Sequence, residues 1–259
     1  MKYLIDFLLI GLLSISSLIS EVDAAENNFV HCGKHFHRNM EPGIPAIRGS
    51  EGQLAYLCYD EFAVLYLLNG RVPMYSAQVL NKEEVEKGYE VGRSSKEAFH
   101  EELRLPSFAR STVEGYKQLN RLTGNMFYDR GHLTPSADMP TVKSEYESFS
   151  LANIVPQAPS MNRGPWAEVE KATRRYVKRA SSDVYIVTGV LFTRDAKVIN
   201  GMYVPSHLWK AVFDPVVNKG WVHIMPNTDK AVISKPMGLR SFKSLYGIDV
   251  FNNADGMTE

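Results

Sequence analysis

The stretch 128–139 constrains what this chain can fold into more than any other part of it. Its central positions, Asp129 to His132, place a carboxylate, a guanidinium, a glycine and an imidazole side by side, and Pro135 then stops the backbone from continuing as a regular β ladder. An imidazole with an ordinary pKa of about 6.5 accepts a proton from water at pH 7. The adjacent Arg130 can hold a phosphate or carboxylate as a fork of donors. The stretch therefore favours hydrolysis of an anionic ester.

Two more motifs follow this stretch. The first is Asn-Ile-Val-Pro-Gln at 153–157, and the second is Asn-x-Gly-x-Trp-x-x-x-Glu at 162–170. Together with Asp-Arg-Gly-His at 129–132, they resemble in sequence and order the signature of the DNA/RNA non-specific endonucleases, which are ββα-metal or His-Me finger nucleases. The resemblance covers roughly Tyr56 to Phe251. It implies an α+β fold in which a central antiparallel sheet is flanked by helices and carries a ββα-metal catalytic core.

The resemblance also implies a base and a metal site. His132 is expected to be the general base, and Asn162 the direct ligand of Mg²⁺, with Mn²⁺ as the alternative ion. Glu170 lies about 12 Å further along the axis if both residues are helical, so it is expected to act through metal-bound water. Gln157 is expected to reach the metal in the same way.

Charge on the reacting phosphoryl group needs cationic partners. The resemblance assigns this role to Arg130 and, by a looser local match, to Arg93; a solvated loop arginine is the alternative for Arg93. Asp129 is expected to orient its neighbour Arg130 rather than to bind metal. Asn153 is expected to complete the catalytic set as an amide that positions groups around the site.

A helix is predicted to open at Gly164-Pro165, because proline suits the first helical turn. Its core face is predicted from apolar residues at helical spacing: Trp166, Val169, Thr173, Tyr176, Val177 and Ala180. The opposite face carries four cations that could bind phosphates along a nucleic-acid strand: Lys171, Arg174, Arg175 and Lys178. A solvated helix face without substrate contact is the alternative.

Overall charge gives no sign of a polyanionic partner. The 259 residues contain 29 Lys and Arg against 29 Asp and Glu, so any surface for nucleic acid must be local. The partners implied by the resemblance are DNA and RNA, bound through phosphate and sugar with weak sequence preference. The sequence does not indicate an oligomeric state.

The N-terminus is typical of an export signal. Lys2 precedes an apolar run from Phe7 to Ile19, and small residues allow cleavage after Ala24; an uncleaved anchor is the alternative. We therefore expect a secreted or periplasmic protein that does not contact the membrane once residues 1–24 are removed. Cys32 and Cys58 are predicted to form a disulfide in that oxidising compartment, with two free thiols as the alternative.

The remaining chain is predicted as an N-terminal arm at 25–55, a nuclease domain at 56–251 and a polar tail at 252–259. In the arm, His31, His35 and His37 could bind a metal, but a polar segment held by Cys32 is the favoured interpretation. In the domain, strands are predicted over 56–68, 72–80, 184–191, 209–213 and 221–225; the first two are expected to form a hairpin in which Asn69-Gly70 supplies the positive φ angles of a tight turn. Residues 82–117 are predicted to be a turn-rich connection with little core, 141–151 a short helix, and 236–246 another helix.

These observations lead to one function and two alternatives. The predicted function is an exported, metal-dependent, sequence-non-specific endonuclease that hydrolyses phosphodiester bonds of DNA and RNA. One alternative is a nucleic-acid-binding module on the same fold without turnover. The other is a phosphodiesterase for small substrates.

Overall fold

The computed structural model describes residues 29–45, 53–93, 98–124, 127–193 and 197–254. The predicted signal peptide and the end of the predicted tail lie outside the described residues. Among the helices that are described, none has the length and apolar character needed to cross a membrane.

The strands, in chain order, are β1 Leu54–Cys58, β2 Phe62–Leu67, β3 Val72–Leu80, β4 Asp129–His132, β5 Ile154–Gln157, β6 Val184–Leu191, β7 Lys197–Ile199, β8 Met202–Val204, β9 His207–Asp214 and β10 Lys219–Pro226. The helices are α1 Lys82–Val91, α2 Val113–Leu122, α3 Val142–Ser148, the single turn α4 Pro159–Met161, α5 Ala167–Val177 and α6 Leu239–Tyr246. The predicted α+β architecture is confirmed.

One antiparallel sheet with the strand order β1-β2-β3-β6-β9-β10 forms the centre of the fold. Every residue of β2 is buried, so both faces of the sheet are covered. Alternate residues of β2 serve the two faces: Ala63 and Leu65 pack with α6 and the N-terminal segment, whereas Val64 and Tyr66 pack towards Leu105 on the opposite face. The two small hairpins β4–β5 and β7–β8 lie outside this sheet.

The predicted first hairpin is present with two corrections. Its first strand is split into β1 and β2 by a turn in which the Tyr59 N–H donates to the Phe62 carbonyl at 2.9 Å. At the β2–β3 turn the positive φ falls on Arg71, at 51°, rather than on Asn69 or Gly70. Gly70 is needed for space instead, because a Cβ there would lie 2.8 Å from Leu67 Cδ2.

The N-terminal segment 29–45 contributes several side chains to the core, more than the predicted polar arm would, although its predicted attachment through Cys32 is present. Phe29 and Phe36 are buried, and their rings lie 6.3 and 6.5 Å from the ring of Tyr75 on β3. The predicted disulfide between Cys32 and Cys58 is present and joins the segment to β1. In the chain-entropy model, such a crosslink over 26 residues stabilises the fold by about 3 to 4 kcal/mol.

The histidines of this segment contribute to packing. His35 is buried, and its Nε2 lies 3.3 Å from the Tyr59 carbonyl oxygen. Burial is the largest cause that lowers the pKa of His35, to about 4, so the ring is neutral at pH 7. The ring of His37 meets Tyr185 and Phe213 edge-on, whereas His31 is exposed.

Residues 82–117 contain more structure than predicted. α1 begins with a capping box, in which the Asn81 side chain accepts from the Glu84 N–H and the Glu84 carboxylate accepts from the Asn81 N–H. α2 is capped by Thr112, whose hydroxyl accepts from the Gly115 N–H. Val85 and Tyr116 are buried, so both helices pack on the domain. The sequence pattern did not reveal these helices, because their few apolar residues are separated by many charged ones.

Strands β6, β9 and β10 and helix α3 lie where they were predicted, within a few residues. Helix α6 begins at Leu239 rather than at residue 236, after an isolated antiparallel bridge between Met237 and Val222. The hairpin β7–β8 was not predicted, because its strands have only three residues each.

Candidate active site

The sequence motifs assemble into a strand–strand–helix unit. Strand β4 pairs antiparallel with β5, with Gly131 opposite Val155 and His132 opposite Ile154. The chain then passes through α4 and a π-helical turn, Asn162–Trp166, into α5. Pro165 lies inside that turn, where its missing N–H and its ring disfavour a regular α-helix. The wider turn separates Asn162 from the regular helix that carries Glu170.

Gly131 allows the two strands to approach each other closely. A Cβ at this position would lie 2.1 Å from Gln157 Cδ, so only glycine leaves room for that side chain. The Gln157 Nε2 donates to the His132 carbonyl at 3.2 Å. Gln157 is fully buried, and this bond makes it a support for the backbone of β4.

Asn153 holds the chain that leaves β4. Its Oδ1 accepts from the Thr134 N–H at 3.0 Å, and its Nδ2 donates to the carbonyls of Thr134 and Ser148, each at 2.9 Å. The side chain is fully buried. Because both ends of the amide are bonded to backbone, Asn153 acts on His132 only by fixing the segment that follows it.

His132 lies between two aromatic rings. Its ring centroid is 5.5 Å from that of Phe99 and 4.8 Å from that of Phe149, and its Nε2 is buried without a hydrogen-bond partner among the described atoms. Burial and, second, the positive charge of Arg93 lower the pKa of His132 to about 3. The ring is therefore neutral at pH 7. A buried ring nitrogen without a protein partner is suited to holding a water molecule.

The two predicted arginines stack on the phenylalanine rings that enclose His132. The guanidinium of Arg130 lies 4.3 Å from the ring centroid of Phe99, and that of Arg93 lies 5.5 Å from the ring centroid of Phe149. Arg130 and His132 are two positions apart on β4, so their side chains share one face of the strand. Stacking on the two phenylalanines leaves the donor edges of both guanidinium groups available to an anion.

Asp129 orients Asn162, and not Arg130 as predicted. The Asn162 Nδ2 donates to Asp129 Oδ2 at 3.0 Å, and Arg163 donates to the same carboxylate through Nε at 2.8 Å and a second nitrogen. An ionised carboxylate only accepts, so the amide nitrogen of Asn162 must face it and the amide oxygen must face away. That oxygen is the group the predicted metal site requires.

Glu170 lies in a partly buried network of charges that sequence analysis had missed. Burial is the largest cause that raises the pKa of Glu170, to about 7; Lys210 opposes the shift and Asp138 adds to it. Lys210 is buried, donates to the Thr188 hydroxyl and has a lowered pKa because of its burial. A lysine inside an apolar strand was a sequence signal that this network existed.

The predicted cationic face of α5 is wrong at Arg174. This arginine is buried and donates to Asp138 Oδ1 at 2.7 Å, and Asp138 also accepts from Gln78 Nε2 at 2.7 Å. Arg174 is therefore engaged in an ion pair inside the protein. Lys171, which is paired with Glu168 at 2.7 Å, is exposed, as are Arg175 and Lys178.

An open groove of about 820 Å³ runs past the site. It lies between α2 and β4 and extends from Lys117 on α2 to Arg130, Asn162 and Arg163; we call it the α2–β4 groove. Arg93 lines it as well, and the charge of Arg93 acts on both His132 and Glu170. The exposed cations of α5 do not line it. Both predicted arginines and the predicted amide thus line one groove, and the predicted base is buried next to it, in ring contact with Phe99 of the lining.

The β4–β5 hairpin followed by α5 defines the ββα-metal class of nuclease fold. A solved structure of EndoG bound to EndoGI, which concerns the mechanism of EndoG inhibition, matches this fold with a TM-score of 0.62 and 23% identity, over 78% of this chain and 88% of that chain. The family model described as DNA/RNA non-specific endonuclease matches residues 46–258. The chain belongs to that family.

Named relatives agree with this membership. The chain is 26% identical to a salivary endonuclease of Lutzomyia longipalpis over 71% of this chain and 48% of the relative. It is 41% identical to a nuclease of Serratia marcescens over 35% of this chain and 37% of the relative. The chain thus spans about half or less of the length of these two proteins.

Proposed function

We propose that this protein is an exported, metal-dependent endonuclease that hydrolyses phosphodiester bonds of DNA and RNA without sequence preference. The observation that carries the proposal is a groove lined by two stacked arginines and an oriented amide, with a neutral, buried histidine in ring contact with Phe99 of its wall. Phosphodiester hydrolysis requires these parts: a base for water, cations for the phosphoryl oxygens and a site for a metal ion.

His132 takes the proton of the attacking water. Its ring is neutral and its Nε2 has no protein partner among the described residues, so that nitrogen can accept a hydrogen bond from water. The pKa of about 3 describes the protein without substrate. A bound phosphate would offset the charge of Arg93, which is the second cause of the low pKa, and would thereby make the ring more basic.

Arg93 and Arg130 bind the oxygens of the scissile phosphate. Both guanidinium groups line the groove, and both are held by stacking on the phenylalanines that enclose His132. The same two rings thereby fix the distance between the base and the cations. Charge that develops on the phosphoryl group meets donors that are already in place, which lowers the barrier.

The donor set fits a divalent ion. The Asn162 amide oxygen is turned away from Asp129 and would be the direct ligand, and Glu170 would act through bound water. Within the described residues, no group of three or more His, Cys, Asp and Glu side chains could cage a metal, so an open site completed by water and phosphate is the arrangement this chain offers. When bound, Mg²⁺ or Mn²⁺ supplies charge stabilisation to the phosphoryl and leaving oxygens.

Asn153 and Gln157 are positioning residues in this proposal. Asn153 fixes the backbone after His132, and Gln157 supports the His132 carbonyl. Neither needs to contact substrate. The amide nitrogen of Gln157 is bonded to the backbone of β4, but its Oε1 is buried without a partner among the described residues, so the expected contact of that oxygen with metal-bound water stays a prediction.

Export is supported by the apolar N-terminal run of the sequence and by the Cys32–Cys58 disulfide. DNA and RNA are supported as substrates by the family description. Cationic and amide side chains of the described groove suit phosphate, which both polymers carry at every nucleotide.

The test is replacement of the base. His132→Ala should reduce nicking of plasmid DNA at least about 100-fold in the presence of Mg²⁺, with thermal unfolding still cooperative. His31→Ala is the matched control, since His31 is an exposed histidine of the N-terminal segment 29–45, outside the β4–β5–α5 unit. Turnover of the folded His132→Ala protein at the wild-type rate would refute the assignment. Wild-type protein that retains DNA in a gel without cutting it would favour the binding module.

A further inference from the structure

The α2–β4 groove continues beyond the catalytic side chains along one face of α2. Its wall there consists of residues at spacing i, i+3, i+4 and i+7, which are Val113, Tyr116, Lys117 and Asn120. This face extends about 10 Å along the helix axis, or roughly three times the 3.4 Å rise per nucleotide of B-form DNA. The groove therefore has room for more of a strand than the scissile phosphate.

Helix α2 is attached directly to the catalytic hairpin. The Tyr116 hydroxyl donates to the Ile154 carbonyl of β5 at 3.1 Å. The Asn120 amide accepts from the Tyr128 N–H at 2.8 Å and donates to the Tyr128 carbonyl at 3.0 Å, immediately before β4. A side chain on this face of α2 is thus held at a fixed position relative to Arg130 and His132.

Lys117 is the cation that this face presents to the groove. Its side chain is 64% exposed, and its partner Glu114 is 3.7 Å away, whereas Arg121 binds the same carboxylate at 2.6 Å. An exposed pair of this kind contributes little, so Lys117 can exchange it for another anion. The groove is lined by Arg93, Arg130 and Lys117, and its fourth cation, Arg163, is paired with Asp129 of the same lining. Since the chain as a whole has equal numbers of acidic and basic residues, the groove is a local excess of positive charge.

We propose that the α2 end of the groove binds a phosphate that neighbours the scissile phosphate along the nucleic-acid strand, and that Lys117 is its ligand. The inference rests on the proposed nuclease function and adds the path of the strand. It directs the strand along α2 and away from the exposed cations of α5. Lys117 contributes affinity for a polymer and takes no part in the bond cleavage.

The experiment compares Lys117→Gln with wild type on a single-stranded oligonucleotide in Mg²⁺ buffer. The variant should raise KM about three- to fivefold at low salt with kcat unchanged, because a contact made equally in ground and transition states is lost. The slope of log KM against log salt should fall by about 0.7, the value for one phosphate contact on a single strand. Lys117→Arg should restore both quantities.

Lys178→Gln is the matched control, since Lys178 is an exposed lysine on α5 that does not line the groove. It should leave KM and the salt slope unchanged. Wild-type KM and slope in Lys117→Gln, or an equal change in both variants, would overturn the inference. These outcomes differ from failure of the proposed function, in which the wild-type protein itself would not cleave the oligonucleotide.

Discussion

Glu170→Gln should stabilise the metal-free protein in a pH-dependent way. Burial raises the pKa of Glu170 from 4.5 to about 7 in the folded state, so the folded protein binds a proton that the unfolded chain releases between these values. Stability therefore falls as pH rises from 4.5 to 7. The full loss is about 3 kcal/mol at pH 8, since one pKa unit corresponds to about 1.4 kcal/mol. Glutamine resembles the neutral acid and avoids this loss.

The measurement is urea unfolding of both proteins in chelator at pH 5 and pH 8. Other titrating groups are common to both proteins, so the difference between their free energies of unfolding isolates Glu170. We expect the variant to be more stable by about 1 kcal/mol at pH 5 and by about 3 kcal/mol at pH 8. Adding Mg²⁺ at pH 8 should stabilise wild type more than the variant, because bound ion favours the ionised carboxylate. A difference that does not change with pH would refute the reasoning.

Two further substitutions test the hairpin and the metal ligand. Asn162→Ala should raise the Mg²⁺ concentration that gives half-maximal nicking, because the amide oxygen is lost; identical dose curves for variant and wild type would contradict the ligand assignment. Gly131→Ala should destabilise the fold by about 1 to 3 kcal/mol in thermal unfolding and reduce cleavage, because the new Cβ meets Gln157. Gly164→Ala is its control, since a Cβ there meets nothing within 4 Å, and equal losses in both glycine variants would argue against the close-packing explanation.

Local patterns were sufficient to predict the buried strands. The apolar runs of β6 and β9 are buried on both faces, and they stand out in sequence because few polar residues interrupt them. The catalytic unit was predicted from the resemblance of three motifs, in the same order, to the nuclease family, which implies a ββα core. α1 and α2 could not be recognised in this way, because they bury only a few side chains each.

The partners of charged residues could not be predicted from spacing alone. Arg174 was predicted to share an outer, phosphate-binding or solvated helix face with Lys171 and Lys178, yet it turns inward to Asp138, which lies 36 positions earlier in the chain. A buried arginine is tolerated only with a carboxylate to pair it, and which carboxylate arrives there depends on how the segment after β4 folds over α5. The helical period predicts which residues share a face, but not what the rest of the protein brings to that face.

The partner of Asp129 was also predicted wrongly, and the strand pattern could have excluded the predicted pairing with Arg130. Adjacent residues on a strand point to opposite faces, so Asp129 and Arg130 are poor partners once β4 is recognised as a strand. The carboxylate instead meets Asn162, which arrives through the π-helical turn that Pro165 favours. In the proposed metal site the aspartate and the proline of the motifs therefore act together, because one orients the Asn162 amide and the other favours the turn from which it projects.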